Sequence, residues 1–258
     1  MSDLLDMSGE VAIVTGGTKG IGKAIAERFA QHGAKVVVAS RKADMCESVA
    51  AHINKEVARN GGEAVGMPVN IGYKEQLRNL VDQTLQRFGK VDVCVPNAAV
   101  NPYQGPSRDI PDSAFEKILD ANVLGTFHLC NMVLPGMVER KHGSLVIIAS
   151  IAGLKGTTDL GAYAVSKVAE HQLARNFAVE YGPHGIRANA IAPGLIKTDF
   201  AKTLWTDPVR LERVSSVVPL RRLGEPEEIA ATALFLASKA GSYITGQVIN
   251  VCGGSSVV

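Results

Sequence analysis

Tyr163 and Lys167 stand four residues apart in the helix-forming stretch Tyr163-Ala164-Val165-Ser166-Lys167, a spacing that puts a phenol and an ammonium on one helical face. A phenol with a pKa of about 10 is a poor proton carrier near neutrality, but a fixed cation beside it stabilises the phenolate and makes it a better one. Tyr163 is therefore the candidate general acid/base. On its own the pair also suits a solvated face, so its meaning depends on what else the chain carries. A second chemical cluster is Thr15-Gly16-Gly17-Thr18-Lys19-Gly20-Ile21-Gly22, which follows the apolar run Val11–Val14 and leads into a helical pattern with Ile21, Ile25, Phe29 and Ala30 on its apolar face. Strand, glycine turn and helix in that order make a dinucleotide-binding entry: glycines let the backbone approach a pyrophosphate, and the helix N-terminus attracts its charge.

The elements that must position these groups alternate along the chain. Apolar runs at Val36–Ala39, Val65–Val69, Val91–Val95, Ser144–Ala149, Arg187–Ile191 and Val248–Val251 read as strands, and Pro68 in the third suits a strand end or a sheet edge better than a centre. Helical patterns over Met45–Asn60, Leu77–Phe88, Ala162–Tyr181 and Pro226–Ala237 separate them, with a further long helix opened by a capping box at Ser113 and Glu116. This alternation predicts an α/β fold: a doubly wound, seven-stranded parallel sheet with helices on both faces, in one domain over 1–258. Phe200 to Val218, with Leu204 and Trp205 among charged residues, has no home in the sheet and reads as a substrate lid over about 195–218. Ile151 to Leu160 is glycine-rich and would carry the chain over the pocket mouth.

With 46% hydrophobic residues over 258 positions the chain can bury a sizeable core. A net charge of +2 without a basic run offers no electrostatic footprint for nucleic acid or an anionic membrane. The polar segment Met1–Glu10 lacks a signal-peptide core, and no stretch reads as a membrane span, so a cytoplasmic protein is expected. Cys46, Cys94, Cys130 and Cys252 lack paired spacing and the six histidines form no ligand pattern with them, so no metal site is expected.

The spacing Gly16-x-x-x-Gly20-x-Gly22 after Thr15, followed much later by Tyr163-x-x-x-Lys167, resembles the fingerprint of the short-chain dehydrogenase/reductase family, and the resemblance runs from about Gly9 to Gly254. It implies that Ser150, thirteen residues before Tyr163, binds the substrate oxygen. It further implies that Lys167 also holds the nicotinamide ribose and that Asn122 holds a water near Lys167. Gly16, Thr18, Lys19, Gly20, Ile21 and Gly22 would then line the cofactor pyrophosphate and adenosine. Pro193-Gly194 with the Ile196 backbone and the Thr198 hydroxyl would face the nicotinamide. Asn70-Ile71 stands where the family has Asp and an apolar residue against the adenine, and Pro96-Asn97-Ala98-Ala99 stands in place of Asn-Asn-Ala-Gly. Asn97 and Ala98 keep a structural or ribose-proximal role. The family also implies a homo-oligomer, dimer or tetramer.

The second strand ends in Ser40-Arg41 rather than in an acid that would bind the ribose hydroxyls of NAD. A small polar residue followed by a guanidinium suits a ribose phosphate, and Lys19 adds a second cation, so NADP(H) is the expected cofactor. Ala192-Pro193-Gly194-Leu195-Ile196-Lys197-Thr198, Leu204-Trp205 and Arg221-Arg222-Leu223-Gly224-Glu225-Pro226 are similar to NADP-linked carbonyl reductases of this family. The expected activity is hydride transfer between NADP(H) and a ketone or secondary alcohol. A 3-oxoacyl-thioester (acyl carrier protein) reductase is the alternative, which would draw on Lys155, Lys202 and Arg210 as basic surface. A non-catalytic nucleotide-binding scaffold is the alternative of another class, opposed by the intact serine, tyrosine and lysine.

Overall fold

The computed structural model describes residues 4–199 and 205–257. Phe200, Ala201, Lys202 and Leu204, on which part of the expected lid falls, lie outside the described residues. Seven strands form a single parallel sheet in the order β3-β2-β1-β4-β5-β6-β7: β1 (Val11–Thr15), β2 (Lys35–Ser40), β3 (Glu63–Pro68), β4 (Val93–Val95), β5 (Gly143–Ile148), β6 (Ile186–Pro193) and β7 (Val248–Val251). β1, β4 and β5 are buried along their whole length, as strands covered by helices on both faces must be. Their period-2 alternation divides the core. Ala12, Val14, Val36 and Val38 face one helical layer, whereas Ile13, Val37 and Ala39 face the other.

The first layer holds α1 (Gly20–Gln31), α2 (Ala43–His52) and α8 (Pro226–Ala237). The second holds α3 (Lys74–Phe88), α5 (Gly125–Arg140) and α6 (Gly161–Tyr181). The short α4 (Asp112–Ile118) precedes α5, and α7 (Pro208–Ser216) lies in the lid region. Because strand order reverses between β1 and β4, the carboxyl ends of these strands open a crevice at the switch point, where ligands of such sheets bind. β3 is an edge strand and Pro68 is its last residue, as its missing amide donor requires. At the other side, the Arg187 guanidinium on β6 donates to the carbonyls of Leu236, Ala237, Ser238 and Gly241, closing the C-terminal end of α8.

Two local expectations are corrected. The helix expected over Met45–Asn60 runs as α2 to His52 and finishes in a π-turn, Ile53–Val57, before Asn60 and Gly61 turn the chain at positive φ. The capping box at Ser113 and Glu116 does not form, because the helix already begins at Asp112 behind Pro111. The box that does form is Glu225 with Glu228 at the start of α8. Finally, Asp112–Arg140 is a continuous helical run whose most apolar window has mean hydropathy 1.2, so by length and composition it could span a bilayer; half of that window is buried inside the fold, as in a core helix.

Candidate active site

β1 feeds the glycine loop. Gly16 has φ +67° and Gly20 φ +50°, a region that side chains other than glycine disfavour. A β-carbon on Gly22 would collide with the Gly16 carbonyl and the Asn97 amide. Asn97 explains the closeness: its Nδ2 donates to the Thr15 carbonyl at 2.8 Å while its own N–H donates to Thr15 Oγ1 at 3.0 Å, tying the end of β4 to the loop. α1 starts without a side-chain cap, which leaves its first-turn amides available to an anion. A β-carbon on Gly20 would lie 2.9 Å from Thr198 Cγ2, so the segment after β6 stands directly over the loop. Loop, helix start and Thr198 thus form a cradle that only a backbone surface can line, and it fits a dinucleotide.

Around that cradle, Thr18 Oγ1 donates to Ser40 Oγ at 3.1 Å, joining loop and second strand, and Arg41 is exposed beyond them. Lys19 is less free than its sequence position suggests, because its Nζ lies 3.2 Å from Asp199, both side chains 64% exposed. Asn70 uses its Oδ1 to accept from the Gly72 N–H at 3.2 Å, so the amide expected at the adenine is partly spent on a local turn. Ile71 packs against the second core layer. Ile196 bridges to Gly224, and Lys197 and Gly224 extend the pairing. Trp205 Nε1 donates to the Thr198 carbonyl at 2.9 Å, tying the segment expected as a lid to the segment expected to face the nicotinamide. Pro193 ends β6, and the Gly194 N–H donates to the Val251 carbonyl.

Ser150, Tyr163 and Lys167 do come together. Ser150 follows β5 and its Oγ accepts from the Ala152 N–H at 3.1 Å. Its side chain also hydrogen-bonds Tyr163, and Lys167 Nζ lies 5.4 Å from the Tyr163 ring centroid. Asn122 sits in a π-turn, Leu119–Leu124, between α4 and α5. It accepts from the Val100 N–H at 2.8 Å and donates to the Val100 carbonyl and to Ser166 Oγ at 3.1 and 3.0 Å. Its amide therefore pins the loop after β4 to α6, while Ser166 donates onward to the Tyr163 carbonyl at 2.7 Å.

The electrostatics correct one expectation. Lys167 does pull the Tyr163 hydroxyl toward ionisation, as does the Ser150 bond, but burial outweighs them and Glu170 opposes them, so the phenol sits above its ordinary pKa of 10.0. Glu170 is the residue that sequence reasoning missed. Its Oε2 accepts from Lys167 Nζ at 2.7 Å, its Oε1 accepts from Thr126 Oγ1 at 3.4 Å, and Lys167 also donates to the Ile148 carbonyl at 3.1 Å. The two ion-paired side chains are 2% and 1% exposed. Burial pushes the Glu170 carboxyl up to about 7 against the pull of Lys167 and Thr126. Burial lowers Lys167, but its attraction to Glu170 and Tyr163 wins and its pKa is raised. An acid three residues after Lys167 was visible in the sequence; its burial was not.

Elsewhere among the described residues, Glu10, Asp92 and His142 bring ligand-type atoms within 4.8 Å of one another. Lys90 and Arg140 already occupy the Asp92 oxygens at 2.8 and 3.3 Å, so the cluster reads as an ion-pair network.

A family model described as enoyl-(acyl carrier protein) reductase matches residues 16–256. Dehydrogenase/reductase SDR family member 4 of Bos taurus is 42% identical over 249 residues, 96% of this chain and 88% of that protein. Among solved structures, the Pseudomonas aeruginosa RhlG/NADP active-site complex superposes with a TM-score of 0.92 at 31% identity, covering 99% of this chain and 100% of that one. 7α-Hydroxysteroid dehydrogenase complexed with NADH and 7-oxo glycochenodeoxycholic acid superposes with a TM-score of 0.91 at 38% identity, covering 98% and 97%.

Proposed function

The chain belongs to the short-chain dehydrogenase/reductase family of oxidoreductases, whose members act on CH–OH groups, and we propose that it reversibly reduces an apolar ketone to a secondary alcohol with NADP(H). The observation that carries this reading is the convergence of Ser150, Tyr163 and Lys167 at the carboxyl end of β5, beside a glycine cradle that fits a dinucleotide. The cofactor, when bound, supplies or accepts the hydride. Everything else is the chain's work. Tyr163 gives its proton to the oxygen that becomes the alcohol, Ser150 hydrogen-bonds the same oxygen, and Lys167 steadies the phenolate and holds the nicotinamide ribose. Asn122 supports a proton-relay water from the π-turn.

NADP rather than NAD is favoured by Ser40 and Arg41 at the end of β2 and by Lys19 on the loop. Of the related structures, the RhlG complex contains NADP and the 7α-hydroxysteroid dehydrogenase complex NADH, so the reading of NADP rests on these side chains. The ketone reading rests on the likeness of 192–198 and 221–226 to NADP-linked carbonyl reductases. Of the basic residues an acyl-carrier thioester would draw on, Lys155 donates to the Ser255 carbonyl at 2.9 Å, and Lys202 and the side chain of Arg210 lie outside the described residues. A homo-oligomer is supported by the exposed apolar residues Leu124, Phe127, Val165 and Val168 on the adjacent α5 and α6 region. A panel of ketones and secondary alcohols, followed by NADPH absorbance and repeated with NADH, tests the proposal. No turnover of any of them by folded protein would return the scaffold reading.

A further inference from the structure

Lys167 lies against two groups that draw on its charge, the half-buried phenol that must ionise and the buried carboxylate of Glu170. Resting, with phenol, ammonium and carboxylate, the three side chains sum to zero. Once Tyr163 has given its proton to the substrate oxygen, the same three sum to minus one where Glu170 and Lys167 are 1% and 2% exposed, and phenolate and carboxylate then compete for the one ammonium between them. We propose that Glu170 takes up a proton when Tyr163 gives up its own, keeping the three side chains neutral in sum through turnover and making Glu170 the positioning residue that acts through Lys167.

The proton balance closes without any further reagent. In reduction the O–H bond of Tyr163 breaks and its proton ends on the substrate oxygen; one proton from solvent forms an O–H bond on Glu170. When the phenol is restored, Tyr163 takes a proton from solvent and Glu170 returns its own to solvent, so each reduction consumes one solvent proton, and oxidation runs the same steps in reverse. No electrons move in this exchange, so the hydride step of the proposed function, on which the inference rests, is untouched.

The surroundings leave Glu170 as the group suited to the task. From its own helix it faces Lys167 and Tyr163; from α5 it faces the Thr126 hydroxyl at 3.4 Å and the Cys130 thiol; and from β5 the Ile148 carbonyl shares Lys167. Cys130 is hydrogen-bonded to Cys94 on β4, and that bond, with burial, holds its thiol well above the ordinary range. His171, one turn on from Lys167, is held neutral by burial, to about 4. Lys167 is thus the only cation among the described groups facing Glu170, and no neighbour competes for a proton near neutrality. The Glu170 carboxylate disfavours the phenolate, and by reciprocity the phenolate must favour protonation of Glu170.

The test compares log(kcat/KM) for ketone reduction against pH in wild type, Glu170→Gln and Thr126→Val. The wild-type profile should bend near pH 7, where Glu170 changes charge. Glu170→Gln should lose that bend and show its alkaline limb, set by Tyr163, at a pH lower by about one unit, a tenfold effect on the phenol's ionisation. Thr126→Val, which removes a hydrogen bond to the carboxylate, should move the bend to higher pH and serves if Glu170→Gln does not fold. A purely structural Glu170 would lower the rate at every pH and leave both bends in place, and that result overturns the proposal. A readout independent of turnover is the infrared band of a protonated carboxyl. It should grow in wild type as pH falls through about 7 and be missing from Glu170→Gln. Its absence from wild type overturns the inference while leaving the proposed reaction standing; its presence in a protein that turns over no ketone sinks the reaction but not the titration.

Discussion

Two lysines in this molecule have carboxylate partners near the cradle, and they live in opposite worlds. Lys19 meets Asp199 at 3.2 Å with both side chains 64% exposed, whereas Lys167 meets Glu170 at 2.7 Å with both almost entirely buried. In the first pair water and salt screen the attraction, so Lys19 can exchange the carboxylate for a phosphate at little cost. In the second, neither charge has an alternative, and changing one partner changes the protonation of the other. The same residue chemistry is adjustable recognition at the rim and proton bookkeeping at the centre.

The sharpest way to break this contrast is at the phenol. Tyr163→Phe should lower kcat by about a thousandfold or more, since general acid–base catalysis contributes about 10² to 10⁴, with cofactor affinity nearly unchanged by fluorescence titration; a folded variant retaining most of its rate removes Tyr163 as the acid. Next, Lys167→Ala leaves the Glu170 carboxylate buried and unpaired. Denaturant unfolding at pH 8 should show a loss of about 3 to 5 kcal/mol, shrinking at pH 6, where Glu170 is protonated. A loss that does not depend on pH would mean that the pair is not coupled.

At the rim the effects are smaller. Arg41→Ala should narrow the NADP preference in kcat/KM by about tenfold or more, because a charge-assisted bond to phosphate contributes about 1.5 to 3 kcal/mol, and Ser40→Asp should reverse it. Equal use of both cofactors by wild type would sink the assignment. Stability against pH separates two neighbours on α6. Glu170, raised from 4.5 to about 7, binds more protons folded than unfolded, so its contribution is lost as pH rises through 7. His171, lowered from 6.5 to about 4, binds fewer, so its contribution is lost as pH falls toward 4. In wild type these slopes oppose each other between about 4.5 and 6.5. Glu170→Gln should therefore become less stable on acidification, by about 1 to 3 kcal/mol across that window, and His171→Gln should become more stable on acidification; parallel curves for the two variants would refute the linkage. Last, Asp199→Asn should tighten NADP binding by less than about 1 kcal/mol, an effect that fades at high salt, measured by calorimetry at two ionic strengths.

The glycine loop, the strand alternation and the trio of Ser150, Tyr163 and Lys167 were legible because each is written in residues whose constraints are local. Gly16 and Gly20 are required by backbone angle, and Tyr163 and Lys167 share a face by helical period alone. What escaped depends on burial or on competition between nearby signals. Glu170 reads as an ordinary i,i+3 partner until α5 and β5 close over it. Ser113 and Glu116 carry the preferred capping residues, yet Pro111 starts the helix first, while the box at Glu225 and Glu228 has an unfavoured residue at its first position and still forms. Asn122 has low helix propensity for a residue inside a helix, which points to a local task, but the π-turn that gives it Val100 and Ser166 as partners has no sequence signature.

That π-turn carries a further consequence for how the chain can vary in length. A single wider turn between α4 and α5 is the imprint of one residue more than an unbroken α-helix would hold. Deleting one residue from 119–124 would let the ordinary ladder close and leave α4 and α5 nearly in their present orientation. What would be lost is the wide turn itself, and with it the placement of Asn122 on Val100 and Ser166. In this segment the number of residues, and not only their identity, ties the loop after β4 to α6.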